Sequence, residues 1–80
     1  MEQRNLIGPR VRKARHSEKP RATLSDLSAR LEVQGIPLSV SELSRIESGT
    51  RAVTDIQLAA LAKALKVSPA WLLGLDESEH

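Results

Sequence analysis

The chain contains no cysteine, no phenylalanine and no tyrosine, and Trp71 is its only aromatic residue. Without cysteine there is no disulfide framework and no thiolate metal site. The two histidines, His16 and His80, stand far apart, so neither a metal nor a cofactor is expected. With almost no aromatics, the core must be built from Leu, Ile, Val and Ala, which favours helices over a β-sandwich or barrel. No apolar run approaches the roughly 20 residues that span a bilayer. The start, Met1-Glu2-Gln3-Arg4-Asn5, lacks the apolar segment of a secretory signal. A cytoplasmic protein without membrane association is the expectation. Hairpin signals, internal repeats and a glycine-rich phosphate loop are also missing.

What is present is one small domain's worth of chain, 80 residues with a formal net charge of +2. The charge is unevenly spread. Residues 1–22 carry Arg4, Arg10, Arg12, Lys13, Arg15, Lys19 and Arg21 against Glu2 and Glu18, while residues 76–80 are acidic. A basic half suits a polyanionic partner, although a solvated charged helix has the same composition.

Helix boundaries are well marked. Leu6 to about His16 reads as a first helix, with Ile7, Val11 and Ala14 on one face and Gly8-Pro9 in the first turn, where proline is tolerated. Thr23 caps a second, with Asp26 three residues on; Leu27 and Leu31 point inward and the helix runs to about Val33. Gly35 ends it, Pro37 prevents its continuation, and Ile36 and Leu38 are expected to be buried. Thr54 and Gln57 form the capping box of a fourth helix whose apolar stripe is Ile56, Leu58, Leu61, Ala62 and Leu65. Ser68 and Pro69 open a short fifth helix in which Trp71 and Leu72 close the core, and Gly74 ends it.

The third helix is the most informative. Ser39 and Glu42 form a capping box, Leu38 and Leu43 a hydrophobic staple, and Gly49 suits the left-handed position after the last turn. Leu43 and Ile46 point inward, and Val40, Ser41, Ser44 and Arg45 point out. An outer face of small, mostly uncharged side chains differs from a solvated helix, which carries Glu/Lys pairs. It suits a helix that lies close to another surface.

These residues resemble the Cro/repressor-type (XRE-like) helix-turn-helix family. The resemblance runs from about Asn5 to Gly74. It rests on Ile7-Gly8 and Arg15, on Thr23, Leu27 and Leu31, and on Ser39, Leu43-Ser44, Ile46-Glu47 and Gly49. Downstream it continues through Leu58, Leu61-Ala62, Ala64-Leu65, Val67-Ser68 and Trp71-Leu72-Leu73. It implies an all-α, compact five-helix, lambda-repressor-like DNA-binding domain over residues 5–75, with a flexible N-terminus (1–4) and an acidic disordered tail (76–80). The implied function is sequence-specific binding of double-stranded DNA by a transcriptional regulator, a repressor, with helix 39–48 in the major groove, and not an enzyme. Val40, Ser41, Ser44 and Arg45 match base-reading positions, and Arg45 can bond bidentately to guanine. Ser39, Ser48, Thr50 and Arg51 match phosphate-contacting positions, which set register. Arg15 and Glu47 match a structural ion pair. The expected partner is a palindromic operator bound by a homodimer, with Leu73 and Leu75 supplying apolar contact.

The chain departs from the family pattern twice. The position after Thr23, usually Gln, is Leu24, and the connection from Leu31 to Ser39 exceeds the family's tight turn, as in a subset with glycine and an apolar residue there. A protein-interaction module, such as an antitoxin or accessory regulator, is the alternative function.

Overall fold

Thr23, Ser39 and Thr54 each open a helix in the structure, a computed structural model that describes residues 3–76. Each hydroxyl accepts the amide of the third helical residue, and the side chain there (Asp26, Glu42 or Gln57) accepts the cap's own amide in return. Three capping boxes thus satisfy amide groups that an uncapped helix leaves exposed. The elements in order are α1 (Gly8–Ser17), α2 (Leu24–Val33), α3 (Val40–Glu47), α4 (Asp55–Leu65) and α5 (Pro69–Leu72), with no strand among the described residues. Ser68 caps α5 through the Trp71 amide.

The helices end by closely related devices. After α2, Gly35 at φ 77° lets the Ile36 amide reach back to the Leu31 carbonyl. After α3, Gly49 at φ 82° lets the Thr50 amide reach the Arg45 carbonyl. These are Schellman closures, in which glycine takes the left-handed conformation without a Cβ penalty. The end of α4 uses Lys66 in that conformation, at φ 62°, which the sequence does not signal.

One core joins all five helices. Val11, Leu27, Leu31, Leu43, Ile46, Leu61 and Leu72 are the largest fully buried side chains, with Ile7, Leu38, Leu65 and Trp71 around them. α3 packs on α1 and α2, while α4 packs on α2, α1 and α5. The small helix α3 therefore sits at one side of the domain with its inner face in the core.

Three expectations need correction. Helix α1 starts at Gly8 and not at Leu6, which is 67% exposed; the Asn5 side chain ahead of it bonds the first free amides. Ile56 is not part of the apolar stripe of α4: at about 3.6 residues per turn it falls on the far side from Leu61 and Leu65 and is 64% exposed, whereas Leu58 in the same turn packs against the core. Ile36 is half-buried against the core, whereas Leu38 is fully buried. Ahead of α1, the Arg4 amide donates to the Gly49 carbonyl at 2.8 Å. Residues 1–2 and most of the acidic tail, 77–80, lie outside the described residues.

Candidate nucleic-acid interface

The outward face of α3 is built by subtraction. Leu43 and Ile46 are completely buried, which turns Val40, Ser41, Ser44 and Arg45 outward, and all four are exposed. The two carboxylates of the helix do not contribute to this face as free charges. Glu47 is held by Arg15, whose Nε and Nη2 donate to its two oxygens at 2.8 and 2.9 Å. Glu42 accepts the Ser39 amide through Oε1 and faces Arg51 through Oε2 at 3.2 Å. With both acids paired to arginines, Arg45 supplies the net charge on the exposed side.

Besides its packing on α2, the last turn of α3 is held by polar and backbone contacts from α1 and the residues before it. The Arg15 and Glu47 side chains are only 9% and 10% exposed, and Arg15 also donates to the Ala22 carbonyl. That fork-to-fork bond is charge-assisted, and its planar geometry fixes one orientation. At Gly8 the helices touch through backbone: a Cβ there would stand 2.5 Å from the Ile46 carbonyl oxygen and 2.7 Å from that of Glu47. Gly8 and Arg15 are seven residues apart, two turns on one face of α1. Both meet the last turn of α3. Asn5 completes the attachment. Its oxygen accepts the Ile7 and Gly8 amides, and its amide donates to the Ile46 carbonyl at 3.1 Å and the Arg51 carbonyl at 2.8 Å.

The residues matching phosphate-contacting positions flank the exposed face. The Ser39 hydroxyl accepts the Glu42 amide, leaving its own O–H to donate outward. The Ser48 hydroxyl donates to the Arg45 carbonyl, and the Thr50 hydroxyl lies 3.0 Å from Ser48 and 3.3 Å from that carbonyl. Ser48 and Thr50 therefore help close the C-terminus of α3, and an anion that takes either hydrogen displaces an internal bond. The Nε of Arg51 is buried and has no hydrogen-bond partner among the described residues. Arg4, Arg45, Thr50, Arg51 and Ala52 line one open concavity beside the end of α3.

Charge states are tuned by local bonding. The Ser39 amide, ahead of the smaller effects of Arg51 and Arg45, holds the Glu42 carboxyl below the ordinary range. The Thr23 amide does the same for Asp26, and Arg30 for Glu18. Partial desolvation, reinforced by Arg21, Arg15 and Arg12, lowers His16. Trp71 is a core residue, 4% exposed, with the Arg10 guanidinium stacked 4.9 Å from the ring centre.

Several structural residues escape a reading of motifs. Asn5 carries a signal in retrospect, an Asx residue placed before Gly8-Pro9 as helix caps are. Gly8 looks like a weak helix former until its neighbour is known. The Glu18–Arg30 pair, at 2.7 Å, and the Gln34 bond to the Ala60 carbonyl join positions with no periodic relation.

No group of His, Asp and Glu side chains among the described residues is arranged to hold a metal ion. No helix among them is long and apolar enough to cross a membrane. No curated protein and no solved structure matches the chain. A family model described as helix-turn-helix matches residues 23–72, the whole of α2 to α5. The match covers more than half of the chain, and the chain belongs to the Cro/repressor-type (XRE-like) helix-turn-helix family of DNA-binding transcription regulators.

Proposed function

We propose that the protein is a sequence-specific double-stranded DNA-binding repressor that inserts α3 into the major groove. The observation that carries this reading is the pairing of both α3 carboxylates with arginines. It leaves an exposed surface of Val40, Ser41, Ser44 and Arg45 without a free negative charge to repel phosphates. Val40 can meet a thymine methyl, and Arg45 has the reach and donor pattern for guanine O6 and N7. Ser39, Ser48, Thr50 and Arg51 set register on the backbone. Contact through Ser48 or Thr50 requires their hydroxyls to exchange an internal acceptor for phosphate.

The domain extends 28 Å along its longest axis, less than the roughly 34 Å of one DNA turn. The two copies of a homodimer can therefore occupy half-sites one turn apart on a palindrome without overlap. Leu75, 78% exposed, is available for that contact, whereas Leu73 is half-buried against the core.

Selection from a random duplex pool at moderate salt tests the reading. Enrichment of a palindrome is the expected result, and no enriched sequence would refute it. Arg45→Ala should cost about 1–3 kcal/mol on the selected site and flatten preference at one base pair. A protein-interaction module, an antitoxin or accessory regulator, instead predicts association that varies little with salt, against the steep fall expected of phosphate contacts.

A further inference from the structure

The concavity beside the end of α3 draws one wall from outside the helix-turn-helix segment. Arg4 lies in the stretch before α1, yet it lines the same depression as Arg45, Thr50 and Arg51. Its position is fixed by backbone. The Arg4 amide donates to Gly49, and Asn5, the next residue, is clamped at both ends of its side chain to α1, the Ile46 carbonyl and the Arg51 carbonyl. On the other side of Arg4, Gln3 Cγ lies 3.8 Å from where a Cβ on Gly49 would be. The segment 3–5 thus runs over the C-terminus of α3 as a strap, and the Arg4 side chain is exposed.

Three arginines, Arg4, Arg45 and Arg51, line it, and no carboxylate among the described residues does. Glu42 pairs with Arg51, and among the described residues no carboxylate stands within ion-pair distance of Arg4 or Arg45. An excess of positive charge around an open depression attracts an anion. The depression adjoins the face assigned to base reading, which decides the anion's source.

We propose that Arg4 joins Thr50 and Arg51 in seating one phosphate of the DNA backbone in this cleft, beside the base-reading Arg45, making the N-terminal strap part of the interface. This rests on the DNA-binding reading. The cleft puts a sequence-independent anchor at the C-terminal end of α3, next to Arg45, and so limits how far that end can swing out of the groove. Because the strap is held through main-chain bonds, the Arg4 side chain is free to serve the phosphate without a structural duty.

The test compares the full chain with Arg4→Gln and Arg4→Lys on duplexes from the random pool, with affinity measured over a series of salt concentrations. Arg4→Gln should melt like the parent. It should weaken binding to the selected duplex and to an unrelated duplex by the same factor, about tenfold near 0.1 M salt, and reduce the salt slope by about one. Arg4→Lys should restore most of the slope. If the parent binds and Arg4→Gln keeps its slope and affinity, the cleft is refuted while the DNA reading stands. A loss confined to one base position also refutes it, because a phosphate contact carries no sequence. A parent chain that binds no duplex overturns the DNA reading itself.

Discussion

The two ends of α3 are held by different physics. At the N-terminal end the Ser39–Glu42 capping box acts within four residues, and its bonds are exposed. At the C-terminal end the holding groups come from far along the chain: Asn5, 41 residues before Ile46, and Arg15, 32 before Glu47. The first kind of restraint fixes that a helix forms. The second fixes where it sits and which face it shows. The C-terminal end thus carries the nearly buried ion pair, whereas the N-terminal end has the exposed capping box, the Glu42–Arg51 pair and the Ser28 bond to the Leu38 carbonyl.

The sharpest way to break the contrast is at Glu47. Glu47→Ala leaves the Arg15 guanidinium nearly buried without its carboxylate, and should cost about 3 kcal/mol, a fall of roughly 15 °C in Tm. An unchanged melt would mean that the pair is not what secures α3. Gly8→Ala comes next. The added Cβ collides with two backbone oxygens that cannot rotate away, so α1 and α3 must part. About 2 kcal/mol of stability should be lost, more than alanine regains as a better helix former, and denaturant titration reads it directly. Ser39→Ala tests the lighter end. Its loss should be about 1 kcal/mol, and hydrogen exchange should show faster protection loss at the Glu42 amide than at the Ile46 amide.

Two smaller effects sharpen the picture. Glu42→Gln retains an acceptor for the Ser39 amide but releases Arg51 from its partner. Duplex affinity should rise several-fold at low salt, with a steeper salt slope, while the melt shifts little. Acid should act in the same region. Glu42, Asp26 and Glu18 are all held below the ordinary carboxylate range, so the folded state favours their ionised forms. The stability they contribute is complete above about pH 5 and declines as the pH falls through the lowered values. His16, also lowered, has the same sign: it favours the fold when neutral and withdraws that support as acid protonates it. A Tm series from neutral to acid should slope downward, without the gain on acidification that a raised histidine would give.

The same contrast separates what the sequence makes legible from what it conceals. Capping boxes at Thr23, Ser39 and Thr54 and glycine stops at Gly35, Gly49 and Gly74 are local, and spacing alone reveals them. So does the outward direction of Val40, Ser41 and Arg45, which follows from Leu43 and Ile46 turning inward. The start of α1 is misread because an apolar Leu6 fits the periodicity while the capping group, Asn5, acts from before it. Ile56 is misread because its residue type suits an apolar stripe while its angle does not: at about 3.6 residues per turn it lies across α4 from Leu61 and Leu65. The Arg15–Glu47 contact was visible only through family resemblance, since no rule of spacing joins positions 32 residues apart. Gly8 and Arg4 acquire meaning only when α3 is seen lying against them.

Gly8 and Arg15 together give α3 an attachment that none of its outward residues shares. Val40, Ser41 and Ser44 make no side-chain hydrogen bond that secures the helix, so their identities can be exchanged while the mount stays intact. The scaffold separates what is recognised from what keeps the recogniser folded. A library varied at positions 40, 41 and 44, with Gly8, Arg15 and Glu47 retained, should yield well-folded domains of differing target preference.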